Sequence, residues 1–172
     1  MISSRRGFLL GTALGLLGLR SLGSAAKAAP AGNFPVTHTD AEWHKLLSPD
    51  QYAVLRGEGT ERPYSSPLDN EHRVGVFACA GCDQDLYSSK TKFDSGTGWP
   101  SFWKPLDNAV LETQDHSFGM FRTAVRCSRC GGHLGHVFPD GPPPTGLRYC
   151  MNGVAMRFRM SAAQAQLDLK LV

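Results

Sequence analysis

Two Cys-x-x-Cys pairs and one isolated cysteine carry most of the chemistry legible in this chain. Cys79-Ala80-Gly81-Cys82 and Cys127-Ser128-Arg129-Cys130 each bring two thiols to one tight turn, and together they offer four thiolates to a single tetrahedral zinc. Two disulfides are the competing reading for an exported chain, but a bridge closed inside Cys-x-x-Cys is a labile, redox-active ring. A site with four cysteine ligands leaves no open coordination position. One Zn2+ per chain would therefore be structural rather than catalytic.

Cys150 remains, in Arg148-Tyr149-Cys150-Met151-Asn152. If this stretch is extended, alternation sets Arg148, Cys150 and Asn152 on one face and Tyr149 and Met151 on the other. A cation there favours thiolate, and an amide can hydrogen-bond an oxygen on a substrate. A buried structural thiol is the plainer alternative. His133 and His136 follow the second knuckle, in His133-Leu134-Gly135-His136-Val137-Phe138-Pro139-Asp140-Gly141. In a regular strand they face opposite ways, whereas across a turn they converge. Either can supply a proton near neutral pH, or serve the core or the surroundings of the metal. Near the Gly-rich stretch Ser95 to Pro100, the aromatics Trp99, Phe102 and Trp103 could box a methyl group or simply join the core.

The elements that must position these groups are short. Thr39 or Asp40 can cap a helix with Trp43, Leu46 and Leu47 on one face, and Pro49 opens a second turn bearing Tyr52, Val54 and Leu55. From Arg73 onward, β-rich stretches alternate with Gly, Pro, Asp and Asn. Strands are predicted at Val74 to Ala78, Ala109 to Glu112, Gly119 to Arg126, Leu134 to Phe138, Leu147 to Cys150 and Ala155 to Arg159. In the third of these, Phe121, Thr123 and Val125 share a face opposite Arg122 and Arg126. The 44 residues between Cys82 and Cys127 exceed a compact finger and leave room for strands. The fold class expected is mainly β, an antiparallel β-sheet domain with short N-terminal helices and a structural zinc site of four cysteines.

At the N-terminus, Arg5-Arg6 precede an apolar run from Gly7 to Leu19, and Ala26-Lys27-Ala28 has the look of a cleavage site. This predicts a signal peptide of the twin-arginine type over residues 1–28, a linker over 29–38 and one domain over 39–172, exported to the bacterial periplasm. A route for folded proteins would let metal load before the thiols meet an oxidising compartment. Gly7, Gly11 and Gly15 have the spacing of a membrane packing face, but 13 residues fall short of the roughly 20 needed to span. No stable membrane span is expected after processing. Arg5, Arg6, Arg20 and Lys27 all precede the cut with no acid among them. Taking these four from 18 basic residues leaves 14 against 15 acidic ones, a net of −1, which gives no electrostatic footprint for nucleic acid.

Together these segments resemble the methionine-R-sulfoxide reductase family of the B type. The likeness rests on Ser95-Gly96-Thr97-Gly98-Trp99-Pro100-Ser101-Phe102, the His133 to Gly141 segment, Arg148 to Asn152 and both knuckles in order, and spans roughly Asp40 to Met160. It implies Cys150 as nucleophile on the sulfoxide sulfur, His136 as proton donor assisted by His133 and Asn152, and Trp99 against the substrate methyl. Arg148 and Asp140 would order the site, with Phe138 lining it. The substrates implied are oxidised methionines in exported proteins or peptides. Many members carry a resolving cysteine where this chain has Thr97. With four cysteines given to zinc, the Cys150 sulfenic acid is expected to be reduced by an external thioredoxin-like or other thiol. A zinc-ribbon interaction module and a thiol peroxidase are the readings from other classes.

Overall fold

A computed structural model describes residues 32–163. The expected signal peptide, residues 1–28, lies outside them, as does the start of the expected linker. Within that linker, Val36 donates its amide to the Arg129 carbonyl at 2.9 Å and packs on the core, so the chain is already anchored there.

Two seven-residue helices follow, α1 (Asp40–Leu46) and α2 (Pro49–Leu55). Each opens with a reciprocal cap, Thr39 with Glu42 and Ser48 with Gln51, and Pro49 supplies the first turn of α2 without wasting a donor. Trp43, Leu47, Val54 and Leu55 turn inward. Leu46, expected on the same face, is exposed instead, because so short a helix buries a narrow stripe.

Among the described residues, nine strands form two antiparallel sheets. The smaller has the order β2 (Asp85–Ser88), β1 (Gly75–Cys79), β9 (Met156–Met160). The larger has the order β3 (Lys92–Phe93), β4 (Ser101–Phe102), β8 (Arg148–Met151), β7 (His133–Phe138), β6 (Arg122–Cys127), β5 (Val110–Asp115). The antiparallel β domain with N-terminal helices is therefore as expected. One predicted strand begins too early: Ser117–Gly119 is a single 3₁₀ turn, Gly119 has φ +69°, and Phe121 lies 85% exposed before β6 starts. The face assigned to Phe121, Thr123 and Val125 is correspondingly broken.

The sheets meet through aromatics. Phe77 and Tyr87 from the small sheet pack on Phe102 from the large one, with ring centroids 4.9 and 4.3 Å away, and the Tyr87 hydroxyl donates to Met151 Sδ at 3.2 Å. Tyr149 and Met151 thus face the core, which turns Arg148 and Cys150 to the opposite side of the large sheet. Phe102 goes to the core by the same alternation, so it cannot share a methyl box with Trp99.

Phe102 is fully buried between the sheets. Phe102→Ala should lower unfolding free energy by about 3–5 kcal/mol in urea denaturation; a loss below about 1 kcal/mol would mean that this ring does not join them.

Candidate active site

Antiparallel register lines up one row of side chains across the large sheet. Ser101 pairs with Cys150, Cys150 with His136, His136 with Ala124, and Ala124 with Thr113. Partners directly opposite in such a ladder point to the same side. Cys150 and His136 are therefore neighbours on the face away from the core, and both are partly buried. Gly135 lets the two strands approach this closely: a Cβ there would lie 2.1 Å from the Cys150 carbonyl oxygen.

His133 and His136 belong to the same strand yet share a face. Val125 pairs with Gly135, but Arg126 pairs with His133, so β7 holds one extra residue opposite β6. That bulge reverses the alternation and brings the two imidazoles to 5.3 Å between centroids. His133 is deeply buried, and neither of its ring nitrogens has a hydrogen-bond partner among the described residues. Burial first, then the charges of His136 and Arg126, press its pKa down to about 4, so it is neutral at physiological pH.

The loop before β4 supplies hydroxyls. Thr97 Oγ1 lies 4.0 Å from Cys150 Sγ and 2.8 Å from Ser95 Oγ, which is 2.7 Å from Ser101 Oγ. Tyr64 clamps this loop, its amide donating to the Gly98 carbonyl and its hydroxyl to that of Gly96, each at 2.7 Å. Gly98 has φ +87°, and a Cβ would sit 2.8 Å from the Tyr64 nitrogen, so only glycine fits.

Glu61, which sequence reasoning misses, ties together two expected site residues. Its carbonyl accepts from Trp99 Nε1 at 3.2 Å, its amide donates to Asn152 Oδ1 at 2.9 Å, and its carboxylate accepts from the amides of Gly153 and Val154. Asn152 Nδ2 donates to the Leu134 carbonyl at 3.0 Å, leaving one amide hydrogen for other use. Trp99 is half-buried beside this network. No local pattern marks Glu61, because its partners lie 38 to 93 residues away.

Arg148 grips Asp140 with Nε and Nη2 at 2.9 and 2.8 Å, and its guanidinium lies 4.6 Å over the Phe138 ring. Burial raises the Cys150 pKa; the Arg148 charge and the Thr97 hydroxyl oppose that rise without overcoming it. Burial likewise lowers the His136 pKa, against the pull of Asp115. The resting pair is thus thiol and imidazole. Beyond His136 lies a cavity of about 700 Å³, lined by Asp115, Arg122, Ala124, Arg126, His133 and His136 among others.

The knuckle cysteines gather as expected. All five cysteines are free thiols. The Sγ atoms of Cys79, Cys82, Cys127 and Cys130 lie within 4.8 Å of one another, with Cys79 and Cys130 3.7 Å apart and Cys82 and Cys127 3.5 Å apart. Sulfurs about 2.3 Å from a central ion stand about 3.8 Å apart, so the set fits a tetrahedral metal. Trp43 and Leu55 cover it, approaching Gly81 and Gly132, and Arg56 Nη1 donates to the Cys130 carbonyl at 3.1 Å.

Comparison with known proteins gives the family of the chain. Residues 47–160 match the SelR domain, and the chain belongs to that family. It is 56% identical over 124 residues to a protein of Agrobacterium fabrum named peptide methionine sulfoxide reductase MsrB, covering 72% of this chain and 92% of that one. Proteins of the same name from Pseudomonas putida and Pseudomonas syringae pv. syringae are 54% identical over 125 residues and 58% identical over 116. The first alignment covers 72% of this chain and 94% of the relative, the second 67% and 88%.

The buried His133 makes a testable contribution to stability. An unfolded histidine takes up a proton near pH 6.5, whereas the native ring resists protonation down to about 4. Stability present above the unfolded value is lost as pH falls through that window. Between pH 7 and 4 the wild type should lose up to about 3 kcal/mol more than His133→Phe in urea denaturation. Equal losses would show that this ring is not the group.

Proposed function

We propose that this chain reduces methionine-R-sulfoxide to methionine with Cys150 as the nucleophile. The placement of Cys150 directly opposite His136, with Arg148 two residues along the same face, carries the reading. The relatives that share over half of their aligned residues with this chain are named peptide methionine sulfoxide reductase MsrB, which supports the reaction class. No helix among the described residues is long and apolar enough to cross a membrane.

The Cys150 thiolate attacks the sulfoxide sulfur while His136 delivers a proton to the oxygen. Transfer of that oxygen oxidises the cysteine sulfur by two electrons and reduces the sulfoxide by two, leaving methionine and a sulfenic acid. His136 and Cys150 rest uncharged, so the productive pair is imidazolium and thiolate, favoured when a polar S–O group enters. Trp99, held by Glu61, offers its face to the methyl, and Asn152 retains one N–H for the oxygen. Arg148, fixed by Asp140, stabilises the thiolate. His133, neutral and buried, packs behind His136.

The other four thiols sit in the metal cluster, and Thr97, near Cys150, has no sulfur to form a disulfide. An external thiol therefore condenses with the sulfenic acid, releasing water, and a second thiol frees Cys150. The four-sulfur donor set suits zinc, bound by Cys79, Cys82, Cys127 and Cys130 as a structural ion. The substrates are methionine sulfoxides in exported proteins, which follows from the twin-arginine reading of the first 28 residues.

With dithiothreitol as reductant, wild type should turn over the R epimer of a blocked methionine sulfoxide and leave the S epimer, while Cys150→Ser forms no methionine. Turnover of both epimers, or activity surviving in the variant, would overturn the reading. Elemental analysis should find one zinc per chain, lost together with cooperative unfolding in Cys127→Ser; full stability without metal would refute its structural role.

A further inference from the structure

The reductase reading leaves Asp115 without a part, although its carboxylate touches His136. Asp115 closes β5, where it pairs with Arg122 of β6. Two steps along those strands, Thr113 and Ala124 belong to the row that contains His136 and Cys150, so Asp115 and Arg122 emerge on the same face. Asp115 Oδ2 lies 2.8 Å from His136 Nε2 and accepts from Arg122 Nη2 at 2.7 Å, while its Oδ1 accepts from the Ser117 amide at 2.9 Å. All three side chains are mostly shielded, with relative exposures of 19%, 12% and 23% for Asp115, His136 and Arg122.

This surrounding keeps Asp115 ionised. Burial alone would raise its pKa, but the Ser117 hydroxyl and amide, His136 and the Arg122 charge together hold it well below the usual carboxylate range. An ionised carboxylate only accepts, so the nitrogen facing it must carry the hydrogen. We infer that Asp115 is a positioning residue for the proposed reaction: it fixes His136 with hydrogen on Nε2, leaves Nδ1 as the nitrogen that serves the sulfoxide oxygen, and favours the imidazolium.

The other charged and titratable groups around His136 do not replace it. Arg122 and Arg126 approach from β6, and Arg126 is paired with Glu58 from the segment after α2 at 2.5 Å. His133 on the same strand is neutral, and Arg148 on β8 is held by Asp140, beside Cys150. Asp115 is thus the carboxylate in contact with the ring.

The inference rests on the reductase reading for its kinetic consequence but not for its geometry, and two measurements separate them. In the wild type, 15N resonances of His136 at alkaline pH should report the Nε2–H tautomer; an Nδ1–H tautomer would overturn the inference whatever the activity. Single-turnover methionine formation should then be followed from about pH 5 to 9. In Asp115→Asn the ring holds its proton less well, so the imidazolium–thiolate form shrinks wherever His136 is already mostly neutral. The variant should be about tenfold slower at pH 8 and approach wild type as pH falls, with Asp115→Glu partly restoring the rate. A deficit equal at every pH, or none, would contradict the role. Absence of methionine from the wild type would instead sink the reductase reading and leave the tautomer result standing.

Discussion

The pairing of β8 with β7 is the constraint on which the site depends. Tyr149 and Met151 must enter the core between the sheets, and that demand alone turns Cys150 outward. A shift of one residue in this register would exchange the faces and bury the thiol against Tyr87. The four-sulfur cluster lies apart from this strand pair, where the two sheets approach. Cys79 ends β1 of the small sheet, while Cys127 and Cys130 flank the turn from β6 to β7 in the large one. A metal held by all four would lock the two sheets together, three residues before His133. The stability of the cluster and the placement of the imidazoles are parts of one arrangement.

Opposing electrostatic effects then set the chemistry. Burial discourages charge on both Cys150 and His136, and the charged partners of each push the other way without prevailing. The balance favours the thiol over the thiolate at rest. In the proposed reaction, charge separation becomes favourable when a substrate oxygen can take the proton and a sulfur can take the electron pair. Arg148 and Asp115 sit on either side of the reacting pair, one favouring the anion and the other the cation.

What is legible in the sequence is local. The knuckles, the Thr39 cap, the helix opening at Pro49 and the alternation of Arg148 to Met151 each depend on residues a few positions apart, and each matches the structure. Strands β2, β3 and β4 leave no such mark, because two to four residues carry no period. The strand predicted to end at Glu112 continues to Asp115; as an edge strand with polar residues on both faces, it lacks the contrast that marks a buried one. The convergence of His133 with His136 depends on a bulge set by pairing with β6, and Glu61 works through partners 38 to 93 residues distant. Neither has a signature within its own segment. Phe102 is open in the sequence between a methyl box and the core, and its direction follows only from strand parity, which sends it to the core.

The most direct test of sulfenic acid chemistry at Cys150 is the mass of the intact protein after one turnover, with excess enzyme over R-sulfoxide and no reductant. One oxygen atom should be gained per methionine released, located on Cys150, with the four knuckle cysteines unmodified. Methionine formed without an added oxygen, or with a disulfide between Cys150 and a knuckle cysteine, would contradict it.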